Sequence, residues 1–336
     1  MQPAIPSLKN PLSAETEVTL PNTGQQVKIL LLGAVFSALL FSASLAIPFA
    51  GFIAGFLAAA PLAYTRIFTG IKFSVMAAIL AALLVGSGFK PAMAVWYLMQ
   101  CGLSGILVPH LLLNGRSNSS VLLISTAAAT VATAITALAF SALAGQGINA
   151  LATREIMTGV DQVIAVYEQQ KSISKGDIEL IRQGMKRAGD LMTKIYPALA
   201  TINLLLLNTI TFFVSRRIAK VNAGLTVAQY SFREFKTPEI LIWPLLVSGF
   251  SLLAQQQWVT VPALNILALL LPLYFLQGLA VVIALSDKSQ YSTVIKIMFA
   301  VLLLTQPYLI VVVTIAGLFD LWGEFRIPRK TREENL

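Results

Sequence analysis

Residues 29–45 read ILLLGAVFSALLFSASL, and they belong to a longer stretch, residues 18–154, that contains no Asp or Glu. Within this stretch, apolar runs of roughly the 20 residues that span a bilayer alternate with short breaks that carry Lys or Arg. A soluble domain of this size needs surface charges of both signs. A carboxylate at the bilayer centre costs at least about 2.5 kcal/mol, so lipid excludes acids. The pattern predicts an all-α, polytopic transmembrane helical bundle.

The composition of the whole chain is typical of a membrane protein. Hydrophobic residues make up 57% of the chain and charged residues 12%, against about 25% charged in an ordinary soluble domain. The net charge of +9 lies mostly at the ends of apolar runs, so it indicates topology and not nucleic-acid binding. The only cysteine is Cys101 and the only histidine is His110, so we expect no disulfide, no metal site and no cofactor.

The apolar runs predict nine or ten spans arranged in two bundles. A polar N-terminal tail, residues 1–28, precedes a first bundle of about five spans, residues 29–145. A mixed-charge segment, residues 146–190, separates it from a second bundle of four or five spans, residues 191–320. A basic tail, residues 321–336, follows. The N-terminal tail lacks the pattern of a signal peptide, so no cleavage is expected.

The mixed-charge segment predicts an amphipathic helical hairpin lying at the membrane surface. Apolar residues recur in it at helical spacing, as at Ile156 and Val160 before a break at residues 172–176, and at Ile178 and Ile181 after it. Acids and bases fill the other positions, as in helices that lie in the membrane interface. The second helix is expected to continue into the sixth span.

The distribution of Lys and Arg predicts that both termini are cytoplasmic. With the N-terminus inside, the predicted outside turns carry only Lys90, apart from the hairpin, whose charges balance. The basic C-terminal tail should also be inside, which requires an even number of spans. The last apolar run, residues 291–318, should therefore split into two short helices at Gln306-Pro307, which gives ten spans. Nine spans with the tail outside is the alternative.

The chain lacks the residue sets of the common enzyme classes. It contains no P-loop motif, and residues 102–105 do not match a nucleophile elbow. His110 is the only imidazole, and no predicted span interior carries a pair of carboxylates. We therefore expect no enzymatic activity and no catalytic residue.

Amide side chains inside the predicted spans are the best candidates for a binding site, because lipid offers them no partner. The predicted ligand-binding residues are Asn203, Asn265 and Gln277, which should approach one another in a cavity closed by the hairpin. Amides both donate and accept hydrogen bonds, so the ligand should be a small polar molecule, uncharged or zwitterionic. The alternative is that each amide only links neighbouring helices.

A series of motifs runs through the second half of the chain. In order, they are Tyr196-Pro197-Ala198, Phe235-Lys236-Thr237-Pro238-Glu239, Trp243-Pro244, Tyr274-Phe275-Leu276-Gln277-Gly278 and Gly317-Leu318-Phe319-Asp320-Leu321-Trp322. The series resembles the YybS-like family of bacterial multi-pass membrane proteins, a domain of unknown function. The resemblance implies a location in the bacterial inner (plasma) membrane and carries no biochemical activity with it.

The first helix also carries small residues at a spacing that allows close contact with another helix, at Ala34 and Ala38. Here the N-terminal half is distantly similar to the substrate-binding subunits of energy-coupling-factor vitamin transporters, which dock a coupling protein through such an A-x-x-x-A face. The similarity implies that Ala34 and Ala38 dock another membrane protein or an energising subunit. Internal packing of this face is the alternative. The chain departs from those subunits by about four further spans and the hairpin.

Two hypotheses about function remain. The first is a non-enzymatic membrane protein that binds or transports a small polar molecule, as a substrate-binding or permease-like component. The second is a scaffold or assembly protein of the cell envelope without a small ligand. The amides distinguish the two, because a pocket needs them to converge whereas a scaffold needs them scattered at helix contacts.

The predicted topology can be tested with single cysteines placed at Ser172 in the hairpin and at Asn335 in the tail. An impermeant thiol reagent added to intact cells should label the first cysteine and not the second, because the hairpin is expected outside and the tail inside. Labelling of both positions from outside would favour nine spans.

Overall fold

The computed structural model describes residues 21–47, 50–169, 174–222, 233, 235–288, 292–323 and 325. In these ranges the protein forms twelve α-helices and no strand, which confirms the predicted all-α class. The helices are α1 (Thr23–Ala46), α2 (Ala50–Leu57), α3 (Ala60–Gly88), α4 (Pro91–Tyr97), α5 (Leu103–Leu113), α6 (Asn118–Leu143), α7 (Ile148–Glu168), α8 (Lys175–Asn222), α9 (Ile242–Ser251), α10 (Gln257–Lys288), α11 (Thr293–Thr305) and α12 (Pro307–Gly323). A π-helical turn, Leu98–Gly102, joins α4 to α5.

The chain forms two compact units. Unit 1 comprises Met1–Phe140 and Asn203–Val227, and unit 2 comprises Ser141–Ile202 and Ala228–Leu336. Helix α8 therefore contributes its first part to unit 2 and its second part to unit 1.

Six segments of the described chain are long and apolar enough to cross a membrane: Thr23–Ala46, Ile53–Gly88, Pro91–Leu113, Asn118–Leu143, Gly176–Val221 and Gln257–Ser286. A seventh is added if Ile297–Leu303 and Pro307–Gly323, which are bent by 106°, form one span. The prediction of nine or ten spans is higher because it divides Ile53–Gly88 in two. It also counts the shorter helix Glu239–Ser251 and both arms of the bent pair as spans.

The division of Ile53–Gly88 has a structural basis at Gly70. Its φ of 83° and ψ of −177° interrupt the helix, and the contacts with the π-helical turn and α5 show that the chain reverses there. A methyl group at Gly102 would lie 3.7 Å from Cβ of Ala78, and one at Gly105 would lie 2.7 Å from Cβ of Leu62. Ala78 and Leu62 would be about 24 Å apart along an unbroken helix. The two glycines that they contact are separated by only about 4.5 Å along their own helix. The segment thus consists of two antiparallel arms, as the predicted turn requires.

Alanine dominates the core of unit 1. Buried alanines on α1 and on both arms of α3 pack in one cluster with larger side chains such as Leu62 and Tyr97. Small side chains let helix backbones approach closely, which is how helices associate where lipid removes the hydrophobic driving force. At the centre of this unit, the Ser37 hydroxyl lies 2.5 Å from both the carbonyl oxygen of Ala58 and the hydroxyl of Tyr97.

The predicted hairpin is present as α7 and the first half of α8, which run antiparallel. Arg182 forms an ion pair with Glu168 near the tip, and the Tyr196 hydroxyl donates to Asn149 Oδ1 at 2.7 Å near the base. Between these points, a methyl group at Gly189 would lie 3.1 Å from Cγ2 of the buried Val160. The apolar stripes of the two helices therefore face each other.

The predicted position of the hairpin at the membrane surface is compatible with the length of α8. Helix α8 is continuous over 48 residues, a length of about 72 Å, whereas a bilayer with its headgroups is about 40–45 Å thick. One crossing therefore does not use the whole helix. Within the hairpin Val160 and Ile164 are buried whereas Val166 and Leu180 are exposed, and its orientation at the membrane stays a prediction.

Unit 2 has its closest helix contact where α10 crosses α12. A methyl group at Gly278 would overlap the carbonyl group of Val313, and one at Gly317 would overlap the carbonyl group of Tyr274. Only glycine fits at both positions, which is the usual requirement for backbones in direct contact. The last apolar run breaks at Gln306, as predicted, and α11 and α12 form the two arms of the bent pair.

The glycine contact between α10 and α12 predicts that Gly278→Ala destabilises the protein by about 1–3 kcal/mol, because overpacking displaces the backbone of α12. Thermal denaturation of the purified protein in detergent would show a lowered Tm. Gly249→Ala on α9 is the matched control, since nothing lies within 4 Å of a methyl group there. An equal loss of stability in both variants would contradict the assigned contact.

Candidate functional site

Asn265 on α10 bonds to the backbone of α8 at a proline. Pro197 lacks an N–H group and crowds the preceding helical turn, so it opens the hydrogen-bond ladder of α8. The Asn265 side chain accepts from the N–H of Ala198 at 3.0 Å and donates to the carbonyl of Lys194 at 2.8 Å. These two backbone groups belong to one rung of the helix. The amide therefore stabilises the helix at its proline, which is a structural task.

Gln277 links three parts of unit 2 and is completely buried. Its Oε1 accepts from the N–H of Thr237 at 2.9 Å, and its Nε2 donates to Oδ2 of Asp320 at 3.1 Å. The segment before α9 and the end of α12 are thus held at the same level of α10. Lys236 and the beginning of the basic tail therefore lie at one end of unit 2, which is consistent with the predicted cytoplasmic side for both. The side itself stays a prediction.

The three predicted ligand residues have different surroundings. Asn265 and Gln277 lie twelve residues apart on α10, about 18 Å along its axis, and they have separate partners. The structure does not bring these two together. Asn203 belongs to unit 1 and its side chain is exposed. A ligand site formed by all three stays a prediction without support from the geometry of α10.

Ala34 and Ala38, the predicted docking residues, are 0% and 5% exposed. They pack in the core of unit 1 with Ala58 and Leu62. The face is therefore used for internal packing, which corrects the expectation that it is available to a partner in this conformation. Docking of another membrane protein elsewhere on the chain stays a prediction.

Asp320 is the polar residue that sequence analysis overlooked. The predicted span ended at residue 318, whereas α12 continues to Gly323 and buries Asp320 to 4% exposure. A buried ionisable side chain in an apolar helix is a marker of function in membrane proteins. The sequence feature that could have revealed Asp320 is its position three residues after Gly317. This spacing places both residues on the helix face toward α10. Nearby on α10, the buried hydroxyl of Tyr274 has no hydrogen-bond partner among the described residues.

The described residues offer no group of three or more His, Cys, Asp or Glu that could hold a metal ion. The hydrogen-bonded residues Thr237, Gln277 and Asp320, together with Tyr274 one turn before Gln277 on α10, form a set of polar residues named the α10–α12 cluster. Their side chains are an amide, two hydroxyls and a carboxylate.

Comparison with known proteins identifies the family. Residues 35–321 match the model of a family described as "Predicted membrane protein (DUF2232)". The chain belongs to this family. The match covers most of the chain, including Gln277, Asp320 and the hairpin, so the resemblance to a family of uncharacterised membrane proteins is confirmed. No curated protein and no solved structure matches the chain.

The bond between Asn265 and α8 predicts that Asn265→Leu destabilises the protein by about 1–2 kcal/mol, because Ala198 and Lys194 lose their side-chain partner in an apolar environment. Asn203→Leu is the matched control, since it makes the same change at an exposed amide. Unfolding in mixed micelles with increasing dodecyl sulfate measures both. The structural role would be refuted if the Asn203 variant lost as much stability as the Asn265 variant.

Proposed function

We propose that this multi-pass membrane protein is a scaffold or assembly protein of the bacterial inner membrane, without enzymatic activity. The observation that carries the proposal is the distribution of the amides. Asn265 bonds to a proline-interrupted helix, Gln277 bonds to Thr237 and Asp320, and the buried Asn208 lies 3.4 Å from the hydroxyl of Thr126 on α6. Each amide is used at a contact between elements, as a scaffold requires, and Asn265 and Gln277 do not converge.

The hairpin offers a surface for a protein partner. Most of its outward side chains are charged or polar, but Val166 and Leu180 near the tip are 59% and 68% exposed. Large apolar side chains on a segment outside the lipid commonly mark protein interfaces. A rigid pair of helices that begins in the bilayer would hold such a partner at a fixed distance from the membrane.

The proposal predicts that Leu180→Glu reduces the amount of protein that copurifies from native membranes by about tenfold, the effect of about 1.4 kcal/mol. Gln183→Glu is the matched control, because it adds the same charge to an exposed position on the same helix. Native mass spectrometry would measure the mass added to the 36.2 kDa chain. A chain that carries no protein partner, or loses it equally in both variants, would contradict the proposal.

Binding or transport of a small polar molecule is the second candidate, and the α10–α12 cluster favours it. The cluster combines a buried carboxylate with a buried tyrosine hydroxyl that has no partner among the described residues. Both groups are closed off in this conformation, so a molecule would reach them only after α10 and α12 move apart.

The same native mass spectra test this second candidate. Tyr274→Phe, which removes only the hydroxyl, should then bind a retained small molecule roughly fivefold more weakly, the effect of one hydrogen bond of about 1 kcal/mol. Asn265→Leu should retain it, because Asn265 lies outside the cluster. A small molecule that is retained equally by all three proteins would bind elsewhere.

A further inference from the structure

The described residues of unit 1 have a charge imbalance. They include no Asp or Glu and eight bases, which are Lys28, Arg66, Lys72, Lys90, Arg116, Arg216, Arg217 and Lys220. Most of these side chains are exposed, where water and counter-ions compensate them. Arg66 is only partly exposed, and one of its guanidinium nitrogens is buried, so it needs a partner within its surroundings.

The partner of Arg66 within the described chain is a histidine. Arg66 Nη2 lies 2.9 Å from His110 Nδ1. Arginine has no acceptor, so Nδ1 must accept this hydrogen bond and the imidazole must be neutral with its proton on Nε2. Asn114 Nδ2 lies 3.2 Å from Nε2, and turning this amide by 180° puts its oxygen there to accept from the ring. His110 and Asn114 thus orient the guanidinium without neutralising it.

Most of the donors of Arg66 remain for a ligand. The guanidinium carries five N–H groups, and the bond to His110 uses one of them. The Nε atom of Arg66 is buried and has no hydrogen-bond partner among the described residues. The arrangement therefore lacks an anionic acceptor, and phosphate oxygens match the fork geometry of a guanidinium.

The site lies at an end of unit 1 where other bases gather. Arg66 precedes the reversal at Gly70, and Asn114 begins the polar turn that carries the exposed Arg116. Helix α8 reaches the same end: Asn208 lies 3.4 Å from Thr126 on α6, and Phe212 packs in one cluster with Val121. From the first contact to the second, the residue number rises on α8 and falls on α6, so the two helices are antiparallel. Helix α8 therefore runs toward the polar turn before α6. Arg217, five residues or about 7.5 Å after Phe212, therefore lies near the level of that turn.

We propose that Arg66, oriented by His110 and Asn114, binds a phosphate group at this end of unit 1. The phosphate is either that of an anionic phospholipid headgroup or that of a soluble phosphate compound, since both present the same oxygens to the guanidinium. The site is distinct from the α10–α12 cluster and from the hairpin, and it would serve a scaffold and a small-molecule carrier equally.

The full-length protein in neutral detergent can be titrated with phosphatidylglycerol, inorganic phosphate, glycerol phosphate and a neutral glycolipid at constant ionic strength. Thermal stability and native mass spectrometry follow binding. Preference for phosphatidylglycerol over the neutral glycolipid identifies a headgroup site, and saturable stabilisation by a soluble phosphate identifies a free-phosphate site. No preference for the anionic lipid together with no effect of either soluble phosphate overturns the proposal.

Variants distinguish the site from general attraction to a basic surface. Arg66→Gln should weaken binding of the preferred phosphate about tenfold or more, because a charged hydrogen bond is lost, whereas Lys72→Gln should change it less than about twofold. Lys72 is the matched control, since it is an exposed base six residues away on the same segment. Arg66→Lys keeps the charge without the fork, and it should weaken binding measurably even if Arg66→Gln does not fold. Equal weakening by Lys72→Gln and by the Arg66 variants contradicts the assigned site.

Discussion

The absence of water around the apolar helices is the constraint on which the rest of the structure depends. A backbone or side-chain polar group in lipid has to find its partner within the protein, and a carboxylate is excluded unless it is buried with one. The acid-free first half of the chain, the alanine-rich helix contacts and the paired amides are three results of this one condition. Where the ladder of α8 opens at Pro197, the amide of Asn265 supplies the hydrogen bonds that water would supply elsewhere.

The two units meet this constraint in different ways. Unit 1 packs small side chains closely and relies on hydroxyl groups such as that of Ser37 for its few internal polar contacts. Unit 2 combines a glycine contact at Gly278 and Gly317 with a buried glutamine and a buried aspartate. The charged residues follow the same division, since unit 1 has only bases among its described residues. Anionic groups that neutralise them must come from outside the described part of that unit.

Much of the fold could be predicted from the sequence because lipid makes apolar length and charge placement directly informative. The turn between Arg66 and Lys72 and the break before Pro307 were both marked by residues that end helices or avoid lipid. What covers the apolar faces of the hairpin was not predicted, because periodicity shows that a helix has an apolar face but not what covers it. Part of this face, at Val160, packs against the other helix of the hairpin.

The candidate site was less predictable for a related reason. The sequence shows that an amide such as Asn265 needs a partner, but the partner lies 67 residues away on a proline-containing helix. Asp320 was missed because the last predicted apolar run ended at residue 318, two residues before it, whereas α12 continues to Gly323. Hydrogen bonds between residues so far apart in sequence depend on how the helices pack. Neither hydropathy nor residue spacing predicts that packing.

The continuous helix α8 has a practical consequence for work on this family. Small membrane proteins are difficult to image or crystallise when a detergent micelle hides nearly all their surface. Here α7 and the first part of α8 carry many exposed polar and charged side chains, which a soluble binder can recognise. An antibody fragment raised against the exposed sides of α7 would therefore add mass and a recognisable feature to the protein for imaging.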